Sequence, residues 1–126
     1  MTETLELNIW GREFTLPIEY EVYKGESVTT EQKAAALNFA GHKDWLESSK
    51  SHVEEFCREQ VLEDEDNHKK DNIFSYIKPD YLFIKRDAGH PRVAIMCKYR
   101  YEPEHGLAIV FSTGGKISVG IQDIIL

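Results

Sequence analysis

Residues 5–22 read LELNIWGREFTLPIEYEV and alternate apolar with polar side chains on either side of a glycine. The apolar residues of each half share one face, which is the period-2 pattern of a half-buried strand. Gly11 is placed as the first residue of a two-residue turn, which predicts a type II′ hairpin. Pro17 cannot donate to a ladder, so we expect the second strand to lie at a sheet edge or to bulge there. The chain is therefore predicted to begin with a β-hairpin.

The pattern after this hairpin changes to helical spacing. Thr29 followed by Gln32 matches a capping box, and Gly41 is well placed to end the helix that the run Glu31–Ala40 predicts. A second helix is predicted from about Asp44 to Leu62, because its apolar residues recur at spacings of three and four. We expect the two helices to pack as a pair against one side of a sheet.

The C-terminal half is predicted to form strands. A polar loop, residues 63–72, is followed by a short apolar cluster that fits one helical turn and is closed by Pro79. Four strands are then predicted, over residues 81–86, 92–101, 107–112 and 117–122. The predicted fold class is α+β in a single domain, residues 1–126: an N-terminal β-hairpin, two helices and a C-terminal antiparallel meander of about four strands.

Composition narrows the classes of function. The chain has 126 residues, 41% of them hydrophobic and 29% charged, which is typical of an ordinary globular domain. A net charge of −7 argues against binding to nucleic acid or to an anionic membrane. No signal peptide or membrane span is indicated, so we expect a cytoplasmic protein. Cys57 and Cys97 are expected as buried thiols, although their spacing leaves a disulfide between them open.

The negative charge is concentrated in one region. Residues 54–72 carry eight acidic and three basic residues, whereas residues 73–126 carry more bases than acids. Such a region is either a solvated surface that keeps the protein soluble or a recognition surface for a basic partner. On the second interpretation the expected electrostatic residues are Glu54, Glu55, Glu59, Glu63, Asp64, Glu65 and Asp66. Tyr76 and Tyr81 are candidate aromatic anchors, and both fit the core equally well.

Motifs for catalysis or metal binding are weak. None of the five histidines has zinc-ligand spacing to another histidine or to a cysteine. The run Gly114-Gly115-Lys116 lies between two predicted strands, so a hairpin turn explains it better than a phosphate loop. Glu104 and His105 are adjacent and offer acid–base chemistry, although a turn at Gly106 explains them as well. The sequence therefore predicts no catalytic residue, no metal and no cofactor, and a small enzyme using Glu104 and His105 is the less favoured alternative.

Several segments resemble a family of small acidic bacterial domains without an assigned activity. The likeness lies in residues 5–11, 14, 16–20, 104–111 and 120–126 and in the helix that carries Trp45. Domains of this kind resemble the immunity proteins of bacterial toxin systems, including contact-dependent growth inhibition. The resemblance implies a non-enzymatic protein that binds and neutralises a cognate toxin, with a basic nuclease as the expected partner. The alternative is an accessory domain that binds another protein or a small ligand.

Overall fold

A computed structural model of the chain describes residues 3–60, 77–86, 91–100, 104–112 and 115–125, apart from the side chains of residues 57–60 and 123. The elements follow in the order β1 (Thr4–Ile9), β2 (Arg12–Tyr20), α1 (Thr30–Ala40), α2 (Lys43–Gln60), β3 (Ile77–Ile84), β4 (Val93–Tyr99), β5 (Leu107–Phe111) and β6 (Ile117–Gly120). A short 3-10 helix, Gln122–Ile124, comes after β6. The predicted α+β order of a hairpin, two helices and four strands is confirmed.

The strands form one six-stranded sheet in chain order, from β1 at one end to β6 at the other. Neighbouring strands are antiparallel, except that β2 and β3 run parallel, with Ile18 opposite Leu82 and Tyr20 opposite Ile84. Parallel neighbours need a long crossover, and the segment that contains both helices supplies it. The mixed sheet is a feature that the sequence analysis did not predict.

The hairpin turn differs from the prediction. The two-residue loop is Trp10-Gly11 rather than Gly11-Arg12, because Ile9 pairs directly with Arg12. Both loop residues have positive φ, 52° and 88°, as a type I′ turn requires. The Trp10 indole Nε1 donates to the Leu46 carbonyl at 3.0 Å and lies 3.1 Å from the Ser49 hydroxyl. These contacts tie the turn to α2 and hold a non-glycine residue in the left-handed region.

The prediction for Pro17 is also wrong. The strand β2 lies inside the sheet, and its register with β1 continues from Arg12 to Pro17 without a bulge. The Ile18 N–H donates to the Glu3 carbonyl at 2.8 Å, so the nitrogen of Pro17 faces away from β1. Pairing with β3 begins only at Ile18, so no ladder bond needs a proline donor. The irregularity lies in β3 instead, between residues 79 and 81.

The start of α1 matches the prediction closely. Thr29 is the N-cap and forms the capping box with Gln32, and Gly41 ends the helix. The strand β3 begins earlier than predicted, because Ile77 and Pro79 are buried and pair with Tyr99 and Cys97 of β4. The interpretation of Ile77 as part of a helical turn is therefore wrong for that residue.

The core lies on both faces of the sheet. On the helix-covered face, Phe39, Leu46 and Val53 pack against strand residues such as Leu82 and Ile109. A smaller cluster lies on the opposite face and contains Ala94, Met96, Ala108, Val110 and Ile125. Cys97 is buried in this core, as predicted.

Some predictions fall outside the described residues. These are the polar loop at 63–72, the apolar residues 73–76 and the side chain of Cys57. Within the described ranges, no helix has the length and apolar character that crossing a membrane needs.

Candidate functional site

Two of the predicted acidic residues can be placed with their side chains. Glu54 and Glu55 lie in α2 and are exposed. Among the described residues, neither makes an ion pair. The backbone of Glu59 belongs to α2 but its side chain lies outside the description. The structure does not describe the remaining predicted residues, which are Glu63, Asp64, Glu65, Asp66 and Tyr76.

The packing of α2 explains why these carboxylates face solvent. Leu46, Ser49 and Val53 are buried and follow one another at spacings of three and four, so they form the stripe that meets the sheet. Glu54 and Glu55 follow that stripe directly and fall on the outer side of the helix. The outer side of α2 is therefore an exposed surface on which Glu54 and Glu55 are free to meet a partner.

Tyr81 lies on the other face of the sheet. It is half-buried, stands opposite Met96 of β4 and packs against the smaller apolar cluster. Burial raises the pKa of its hydroxyl, and the nearby charges of Glu19 and Asp80 raise it further. The structure does not bring Tyr81 together with Glu54 and Glu55, so any anchoring role for Tyr81 belongs to a different surface.

A second acidic feature lies beside the β1–β2 hairpin. A cavity of about 290 Å³ is lined there by Glu6, Asn8, Glu13, Thr15 and Lys43, among others. The Asn8 side-chain oxygen accepts from the Gly11 N–H at 3.0 Å, which orients its amide. Glu6 and Asn8 lie on the polar side of the alternating pattern, but alternation alone does not show that a concave surface forms there.

Comparison with known proteins adds a family. The sequence profile of Domain of unknown function (DUF6985) matches residues 1–126. The chain belongs to the DUF6985 family. No curated protein and no solved structure matches this DUF6985 chain.

The turn with Glu104 and His105 in the DUF6985 chain has a structural explanation. Both residues are exposed, and the next residue, Gly106, has φ +60°. A Cβ at position 106 would lie 2.6 Å from the Cys97 carbonyl oxygen and 2.7 Å from Nε2 of Gln122. The His105 carbonyl accepts from the Gln122 N–H at 3.2 Å. Close approach of the backbone and of Gln122 therefore explains why glycine follows Glu104 and His105 at this turn.

Metal-binding geometry is not found in the described part of the chain. No group of three or more His, Cys, Asp or Glu side chains there could hold a metal ion.

Proposed function

We propose that this DUF6985 protein is a non-enzymatic binding protein that neutralises a basic partner protein. The resemblance to immunity proteins makes the partner a cognate bacterial toxin domain, with a basic nuclease as the leading example. The observation that carries the proposal is the exposure of Glu54 and Glu55 on the outer side of α2, where no base pairs with them among the described residues.

Other carboxylates of the protein are used internally. The Glu21 carboxylate accepts from Lys85 Nζ at 3.1 Å, and Glu26 pairs with Arg86. These pairs join the segment after β2 to the end of β3. Glu21 and Glu26 thus serve the fold, whereas Glu54 and Glu55 make no ion pair among the described residues and are available to a partner.

An exposed acidic surface suits a nuclease partner for a physical reason. A nuclease needs Lys and Arg side chains to bind phosphates, and those cations attract the same carboxylates. Complementary charge speeds diffusional encounter and excludes wrong partners more than it adds affinity. The acidic surface therefore predicts an association rate that falls as salt is added.

The first test is a pull-down of the tagged protein with the products of adjacent genes, followed by association kinetics for any partner. The double variant Glu54→Lys with Glu55→Lys is compared with a control that carries Glu31→Lys and Glu104→Lys, which are exposed residues of other elements. Both double variants change the net charge equally. At low salt we expect the α2 variant to associate about tenfold more slowly, and the control to change much less.

Equal association rates for the two double variants would show that α2 is not the recognition surface. A partner that is not basic would instead favour an accessory binding domain.

A further inference from the structure

The strand β1 is an end strand of the sheet, and one of its two backbone edges is open. The Glu3 carbonyl accepts from the Ile18 N–H at 2.8 Å. This bond shows which residues of β1 form backbone hydrogen bonds with β2. Ladder bonds of an antiparallel pair fall on every second residue, so Leu5, Leu7 and Ile9 bond to β2. The N–H and C=O groups at positions 4, 6 and 8 therefore point away from the sheet.

Among the residues that the structure describes, no group pairs with these outward N–H and C=O groups. Thr4, Glu6 and Asn8 are exposed, and β1 has β2 as its one neighbour in the sheet. Three donors and three acceptors in a regular strand form a complete template for one more strand.

Several features that commonly protect an edge strand from unwanted pairing are absent from β1, whose one charged residue is Glu6. Its sequence, TLELNI, contains no lysine, proline or glycine, and its register with β2 has no bulge. The opposite end strand, β6, has only four residues, whereas β1 has six, and α2 contacts both end strands. The edge of β1 is therefore the longer of the two.

We propose that an extended, basic segment of a partner protein adds to the outer edge of β1 as a seventh strand. The choice of a basic segment rests on the proposed function and on the side chains at this edge. Glu6 stands in the middle of the open edge, and the cavity beside it is lined by Glu6, Glu13 and Lys43, so the charged residues of its lining carry a net negative charge. Lys or Arg opposite Glu6 would form a favourable cross-strand pair.

A second copy of this chain fits the edge less well. If two β1 strands paired antiparallel with full overlap, Glu6 of one copy would stand next to Glu6 of the other. Like charges directly opposite in a sheet are destabilising. The edge therefore selects a basic strand over itself.

The test uses the full chain and a defined probe, a blocked heptapeptide in which lysine alternates with valine and threonine. On addition of the peptide to isotope-labelled protein, we expect the backbone amide signals of Thr4, Glu6 and Asn8 to shift. Hydrogen exchange at these amides is expected to slow at least about tenfold, because ladder formation protects them. The same peptide with glutamate in place of lysine should leave the signals unchanged.

Two proline variants test whether the peptide binds at the outer edge of β1 or elsewhere on the hairpin. Glu6→Pro removes the central outward donor, whereas Thr15→Pro makes the same change directly opposite, on the side of β2 that faces away from β1. Peptide binding should be lost in the first variant and kept in the second. If Glu6→Pro does not fold, N-methylation of the Glu6 amide in a ligated protein removes the same donor and keeps the side chain.

The outcomes separate this inference from the proposed function. Peptide binding that survives Glu6→Pro, or shifts confined to α2, would overturn strand addition. Protection of the three amides in a dimer without peptide would identify a second copy as the occupant and would also overturn it. A toxin partner whose binding needs Glu54 and Glu55 but tolerates Glu6→Pro would support the proposed function and would refute strand addition at β1. Peptide binding at β1, with no toxin partner found, would support strand addition but not the proposed function.

Discussion

Gln32 links three separate parts of the chain, and its replacement by alanine is the most direct test of how they are held together. Its Nε2 donates to the Glu21 carbonyl at 2.8 Å and to the Ile84 carbonyl at 3.1 Å. Its Oε1 accepts from the Thr29 N–H at 2.9 Å. The side chain is completely buried. A single amide thus joins the start of α1 to the ends of the parallel strands β2 and β3.

The expected loss of stability follows from these contacts. Gln32→Ala removes the three hydrogen bonds named above, each worth about 1 kcal/mol net, and a longer one of 3.4 Å that the Thr29 hydroxyl donates to Oε1. The Ile84 carbonyl keeps a bond from the Glu21 N–H at 2.9 Å, which lowers the cost, whereas the space left by the buried amide raises it. We expect the free energy of unfolding to fall by about 3 kcal/mol, which is a large part of the roughly 5–15 kcal/mol typical of a domain.

Urea denaturation of the wild type and the variant measures this difference. Lys33→Ala is the matched control, because Lys33 is the next residue of α1 and is exposed, and its cost should stay below about 0.5 kcal/mol. Gln32→Glu keeps the acceptor for Thr29 but cannot donate when ionised, so we expect it to be destabilising too. A loss under about 1 kcal/mol for Gln32→Ala, with an unchanged slope, would refute the idea that this amide holds the junction.

Two further predictions concern charge. Burial of Tyr20, together with its hydrogen bond to the Glu3 carboxylate, raises the pKa of the tyrosine from 10.0 to about 12. The unfolded chain then loses this proton at lower pH than the folded protein, so the stabilisation is complete below pH 10 and is lost as the pH rises towards 12. The stability difference between wild type and Tyr20→Phe should therefore shrink across that range in urea titrations, and a constant difference would contradict it. Lys98 stands directly opposite Lys78, and both are exposed. Lys98→Glu should raise the free energy of unfolding by about 0.5 kcal/mol at low salt and much less at 1 M salt, whereas Lys116→Glu should show no such gain.

Much of the fold follows from local patterns. The alternation in residues 5–22 predicts the hairpin, and the spacing of Thr29 and Gln32 predicts the beginning of α1, because strand and helix periods are properties of consecutive residues. Helical spacing likewise predicts that Glu54 is exposed, as the structure shows. Such predictions need no knowledge of which distant segments meet.

The errors occur where distant segments meet. Trp10 adopts a positive φ while its indole bonds to α2, and that contact cannot be inferred from the residues next to it. Tyr81 could not be assigned to a face, because the bulge between Pro79 and Tyr81 changes which side chains point towards the helices. An irregularity of one residue reverses the faces of a strand.

The sequence alone determines the order and type of the elements and the polar character of the side chains that form the candidate surfaces, because these depend on neighbours along the chain. Only the tertiary structure shows that β2 runs parallel to β3, and that the nitrogen of Pro17 lies on the side of β2 where no ladder bond to β3 forms at that position. It also leaves β1 with an open edge beside Glu6. Those features depend on pairing between backbone groups far apart in sequence, and packing of the helices and the whole sheet selects one arrangement among several that the local pattern allows.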